Sequence, residues 1–190
     1  MQRNFIPKEV SWLSFNERVL QEAADNSNPL INRIRFLGIY SSNMDEFFEV
    51  RVATLKRLAA LGKKGVKIYG ADPAIVHAQI QNIVMGLQKR YDETHKNLLD
   101  ALEKKGVYFL REDNLNVQQR QFVEKFFTDT LRRRIFPIIL YPGVKMPELR
   151  DRSIYLFVLL KHSQNKLTTR FAIIEIPTGE IERFIILPTD

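Results

Sequence analysis

The stretch VSWLSFNERVLQEAADNSNPLINRIRFLGIYSSNMDEFFEVRVATLKR, Val10 to Arg57, decides how the amino-terminal half of the chain is read. Its apolar residues fall at helical spacing. Ser14 with Glu17 three residues later has the form of a capping box, and Val19, Leu20 and Ala23 supply an apolar side, so a first helix is expected to about Asn26. Asn28-Pro29 reads as N-cap and first position of a second helix through Leu30, Ile34, Leu37 and Tyr40. The pattern then meets a polar break, Ser41-Ser42-Asn43-Met44-Asp45-Glu46, at which Asn43 and Glu46 have start-of-helix chemistry. A third helix is expected from there to about Leu61, apolar on more than one side and therefore enclosed by neighbours.

Working outward, GKKGVKIYG (62–70) reads as a linker. Asp72-Pro73 opens one long helix, with Val76, Ile80, Leu87, Tyr91, Leu98 and Leu102 at three- and four-residue intervals, closed near Lys105-Gly106. From Val107 the pattern changes. VYFL suits a short strand, and Asn116 can cap a helix through Phe122, Phe126, Phe127 and Leu131 that Pro137 stops. IILYP, SIYLFVLLK, TTRFAIIEIP and ERFIILP follow, runs rich in Ile, Val, Phe and Tyr that indicate a mostly antiparallel sheet. The fold class is α+β, with an all-helical domain at 1–106 followed by an incomplete α+β domain at 107–190. The apolar strand expected at Phe184 to Leu187 ends close to the last residue, so exposed apolar surface or an open edge is expected, as in a chain cut inside a larger protein.

Composition sets independent bounds. At 190 residues, 45% hydrophobic and 27% charged, the chain is globular and long enough for one sizeable core or two small ones. The absence of cysteine excludes disulfides, thiolate nucleophiles and Cys-based zinc sites, and three isolated histidines make no metal cluster. No run of about 18 apolar residues and no apolar h-region is present, so neither a membrane span nor an export signal is expected. The default location is the cytoplasm, with a peripheral position at the inner face of the membrane compatible with it. The formal charge of +7 is spread along the chain, with 16 basic and 12 acidic residues through Lys105 and 13 and 10 after it. A diffuse positive field favours polyanions without choosing among them, and it argues against a dedicated nucleic-acid surface.

The long string quoted above, in particular SWLSFNERVLQEA and NPLINRIRFLGIYSSNMDEFFEVRVATLKR, closely resembles the opening segment of the polyphosphate kinases, and the rest of the chain resembles them more loosely. The resemblance implies the helical amino-terminal domain and the start of the second, or head, domain of an enzyme several times longer. That enzyme would move the terminal phosphate of ATP reversibly onto polyphosphate through a phosphohistidine. It further implies ATP or ADP and polyphosphate as partners, magnesium held by ligands outside this segment, and a homo-oligomer. Asn43 lies in the matching SNxDEF segment, where the family's asparagine contacts the ATP base; an amide suits that task because it offers one acceptor and two donors.

No catalytic and no metal-binding residue is expected within the segment. Asp45 and Glu46 read as first-turn helix charges and not as an acid/base pair, since adjacent helical positions do not face each other. His77, His95 and His162 match none of the family's catalytic histidine contexts. Arg35 and Arg51 flank the Asn43 break without a geometric assignment, and Gly62-Lys63-Lys64-Gly65 lacks the setting of a phosphate-binding loop. The rival reading is a non-enzymatic helical interaction or polyanion-binding module, for which no activity would depend on nucleotide.

Overall fold

A computed structural model describes residues 6–143, 145–161 and 169–189, and its contacts divide the chain into two compact units, Met1–Phe109 and Leu110–Asp190. The first unit is helical. Helix α1 (Lys8–Ala24) is followed by α2 (Leu30–Glu46), a π-helical turn (Phe47–Val52), α3 (Ala53–Ala60), α4 (Lys63–Tyr69) and the long α5 (Pro73–Glu103). Helix α5 packs against α1, α2, α3 and α4. The core between them is built from Leu13, Leu20, Leu37, Phe47, Leu55, Ile80, Leu87 and Leu98.

Several boundaries differ from those expected. Helix α1 begins at Lys8, with no side-chain cap, so Ser14 lies inside it and its hydroxyl donates to the Val10 carbonyl at 3.2 Å. This is the i to i−4 back-bond open to a serine within a helix, and the Ser14-Glu17 pair is no capping box. Asn28 does not cap α2. Its amide donates instead to the Glu22 carbonyl and carboxylate, both at 3.0 Å, and so ties the interhelical turn back onto α1. The carboxyl end of α1 is finished by a residue of α2. Arg33, only 8% exposed, donates from Nε to the Ala23 carbonyl at 2.9 Å and from Nη2 to that of Ala24 at 3.5 Å, satisfying carbonyls that have no intrahelical partner.

The polar break expected at Ser41 to Glu46 does not exist. Helix α2 runs through these residues, and the irregularity comes at its end, where the backbone widens into the π turn. Packing explains the placement. At about 100° per residue, Phe47 and Val52 would point roughly 140° apart on an α-helix. The wider turn brings both inward, and they are 1% and 2% exposed. Val50, within the same turn, faces solvent.

The expected linker at 62–70 is helical. Gly62 (φ 54°) and Gly70 (φ 84°) take backbone conformations that a side chain disfavours and so bracket a two-turn helix within nine residues. The long helix matches its reading: Asp72 Oδ1 accepts from the Ala74 N–H at 2.9 Å, Pro73 follows, and the helix closes at Glu103.

In the second unit Asn116 and Gln119 form a reciprocal capping box at the start of α6 (Val117–Phe126), which passes into a second π turn (Phe127–Leu131) and a short 3-10 turn (Arg132–Arg134). Three strands follow, β1 (Pro137–Leu140), β2 (Ile154–Lys161) and β3 (Thr169–Ile176), in the order β1-β3-β2, with both pairings antiparallel. In the central strand Ala172 pairs with Ile139 and Val158, and Ile173 pairs with Ile138 and Phe157; Ala172 and Ile173 are buried.

Two expected strands are not formed. VYFL (107–110) carries no strand and is substantially exposed, and Phe184 to Leu187 does not join the sheet. Apolar composition alone does not make a strand: neither segment pairs with an edge of the sheet. The expected exposed apolar surface is present on β2. Its neighbours Leu156 and Phe157 point to opposite faces and are 50% and 63% exposed.

Candidate functional site around Asn43

Asn43 lies in the last turns of α2, half-buried, on the flank facing α1. It is not an N-cap, because the helix neither starts nor pauses there. Its Nδ2 donates to Asn16 Oδ1 of α1 at 2.9 Å, and Asn16, fully buried, donates from its own Nδ2 to the Tyr40 carbonyl at 3.2 Å. Three polar groups from two helices thus form one chain of hydrogen bonds. Asn43 keeps its carbonyl oxygen and a second N–H beyond that chain.

Reading the sequence missed Asn16, although a signal was present. Leu13, Asn16, Leu20 and Ala23 recur at spacings of three and four, and all are at most 1% exposed. An asparagine on such a stripe is buried with the stripe and must find partners there.

Tyr40 and Met44 of α2, Phe48 of the π turn and Val84, Gln88 and Tyr91 of α5 line a cavity of about 270 Å³. Tyr40 and Tyr91 stack at 5.7 Å, and Tyr91 stacks on His95 at 6.2 Å. Asn43 does not line this cavity. Burial pushes the Tyr40 hydroxyl up to about 12, with the Arg90 charge opposing and Glu17 and Tyr91 adding to the rise.

A pH dependence follows. A phenol held protonated to a higher pH in the folded chain contributes its full stability below pH about 10, the ordinary tyrosine range, and loses it as pH rises toward about 12. The folded chain is therefore expected to lose stability through that window. Tyr40→Phe should flatten the loss, as read by denaturant midpoints between pH 9 and pH 12; an unchanged slope would show that Tyr40 does not carry it.

The remaining candidates scatter. Arg35 is exposed on α2, and Arg51 is exposed in the π turn, beside a separate cavity of about 180 Å³ that Lys8, Glu9 and Tyr69 also line. There the buried Glu9 carboxylate accepts from the Tyr69 hydroxyl, and burial, then Glu9, raise the Tyr69 ionisation above its ordinary value. Asp45 and Glu46 end α2, both exposed, and run directly into the π turn, so they do not occupy the first turn of a helix as expected. His77 and His95 are on α5, while His162 lies outside the described residues. Among the described residues no three or more His, Cys, Asp or Glu side chains gather as a metal site, and no helix is long and apolar enough to cross a membrane.

Comparison with known proteins agrees along the whole chain. A family model described as the polyphosphate kinase N-terminal domain matches residues 5–110, and one described as the polyphosphate kinase middle domain matches residues 118–190. Polyphosphate kinase of Escherichia coli (strain K12) is 39% identical over an alignment covering 100% of this chain and 27% of that protein. That of Vibrio vulnificus (strain YJ016) is 36% identical, over 97% of this chain and 26% of its own length. The crystal structure of polyphosphate kinase from Porphyromonas gingivalis superposes with a TM-score of 0.73 at 30% identity, covering 95% of this chain and 26% of that one. The chain thus spans about a quarter of the length of the curated relatives it matches. With both models matched in order, and the helical unit and antiparallel sheet found in a solved relative, this chain belongs to the polyphosphate kinase family and carries its N-terminal and middle-domain sequence.

Proposed function

We propose that this segment works as part of an enzyme that transfers the terminal phosphate of ATP reversibly to polyphosphate, and that Asn43 contributes a wall of the nucleotide site by hydrogen bonding to the base. The observation that carries the second half is the amide itself. Asn43 is half-buried and held by one bond to Asn16, yet keeps an acceptor and a donor for a ligand. Phosphoryl transfer depends on positioning and charge neutralisation. The phosphohistidine, and the ligands for magnesium that would neutralise phosphate charge, would lie in the part of the enzyme beyond this segment, and the segment alone is expected to be inactive. The whole enzyme would act in the cytoplasm as a homo-oligomer.

The test is polyphosphate synthesis by the complete enzyme that carries this segment, comparing the parent with Asn43→Ala at equal folded concentration. The expected result is a rise of roughly tenfold in KM for ATP with kcat nearly held, the pattern of lost binding at a group remote from the reacting phosphate. Unchanged kinetics would reduce Asn43 to a helix-packing residue. No synthesis by the parent would favour the non-enzymatic module instead.

A further inference from the structure

We propose that Asn16 is a positioning residue that locks the Asn43 amide in one orientation, so that the nucleotide site reads one purine hydrogen-bonding pattern, that of the adenine in the ATP reaction proposed above, and not its reverse. The inference rests on the reading of Asn43 as the base contact. Its starting point is the Tyr40 carbonyl, which can only accept. Asn16 therefore presents Nδ2 to Tyr40, at 3.2 Å, and its Oδ1 is left facing Asn43. That oxygen can only accept, so Asn43 in turn presents Nδ2, at 2.9 Å. An obligate backbone acceptor thereby fixes two side-chain amides in sequence.

The consequence is chemical. A free amide can rotate by half a turn and exchange its donor with its acceptor, serving either pattern on a purine edge. Adenine has a donor at its 6-amino group and an acceptor at the neighbouring ring nitrogen. Guanine has an acceptor at O6, beside a ring N–H on one side and the acceptor N7 on the other. An amide that cannot rotate matches the first arrangement or the second, not both. Burial strengthens the lock: Asn16 is fully buried, turning Asn43 would set its oxygen against the Asn16 oxygen, and turning Asn16 would set its oxygen against the Tyr40 carbonyl and its Nδ2 against that of Asn43, leaving buried polar groups unpaired.

The experiment compares kcat/KM for ATP and for GTP in the complete enzyme carrying this segment, for the parent, Asn16→Ala, the milder Asn16→Ser, Asn43→Ala and the double variant Asn16→Ala/Asn43→Ala. The parent is expected to prefer ATP. Asn16→Ala is expected to lower the ATP to GTP ratio roughly five- to tenfold, about as much as Asn43→Ala, and to add nothing in the double variant. Equal losses with both nucleotides would show a purely structural role and overturn the proposal. A ratio that moves with Asn43→Ala but not with Asn16→Ala or Asn16→Ser sinks the lock alone. A ratio and KM that Asn43→Ala leaves unmoved sink the base contact and the lock with it.

If the Asn16 variants do not fold, the unmutated 190-residue chain supplies the answer through the side-chain amide resonances of Asn43, assigned by their loss in Asn43→Ala. One of the two protons is expected to exchange with solvent roughly tenfold more slowly than the other. Equal, fast exchange of both would overturn the lock.

Discussion

Replacing Phe47 by alanine is expected to lower the unfolding free energy of the helical unit by about 3–5 kcal/mol, the range for emptying an aromatic side chain from a closed core. Phe47 is 1% exposed and central to that core. Its ring stacks on Trp12 at 4.7 Å with 10° between planes, and meets Phe48 edge-on at 5.9 Å. Loss of such contacts adds about 0.5–1.5 kcal/mol to the transfer cost. Against a typical domain stability of about 5–15 kcal/mol, the total is a large share. Trp12 is the chain's one tryptophan, so its fluorescence reports the unfolding of this unit directly. Val50→Ala in the same π turn is the control, since Val50 is 56% exposed and should change the midpoint little. A loss below about 1 kcal/mol for Phe47→Ala would show that the π turn is not held by this side chain.

That turn also marks how far the fold was legible in the sequence. Periodicity located α1, α2 and α5, and the Asp72-Pro73 and Asn116 signals were correct because each satisfies orphan N–H groups with a side chain of its own segment. Local chemistry misled where an N-cap residue type found a different partner, the helices α1 and α2 starting without any side-chain cap. Ser14, Asn28 and Asn43 all carry N-cap residue types, yet Ser14 bonds back within α1, Asn28 to Glu22 and Asn43 to Asn16. A π turn has no composition of its own. The sequence places a polar break six residues too early because Ser41-Ser42-Asn43 resembles a helix start, whereas the widening follows from the need to bury both Phe47 and Val52. The strands β1 to β3 were legible as Ile- and Val-rich runs, while 107–110 and 184–187 have similar composition and pair with no strand.

The candidate site was half legible. Asn43 stood out through a resemblance carried by a long string, whereas Asn16 looked like one polar residue among several on an amphipathic helix. Its role needs α1 and α2 to be brought together, 27 residues apart in sequence, so that one amide can reach the other.

Gly65→Ala is expected to destabilise the helical unit by about 2 kcal/mol or more, although alanine is the better helix former by about 1 kcal/mol. Gly65 is buried in α4, where that helix packs against α3. A Cβ built there would lie 1.9 Å from the Leu58 carbonyl oxygen and 2.8 Å from its carbon. Both atoms are backbone, so no side chain can swing away, and the two helices would have to separate. Gly86→Ala gives the opposite sign from the same substitution. Gly86 is exposed in α5 with nothing within 4 Å of an added Cβ, so only the propensity gain of about 0.5–1 kcal/mol remains. Paired denaturation curves followed through Trp12 would separate the two effects: close approach of backbones dominates at Gly65, and chain entropy at Gly86. If both variants shifted the midpoint upward, α4 would not be packed on α3, and Gly65 would be no more than a residue of the linker that its sequence suggested.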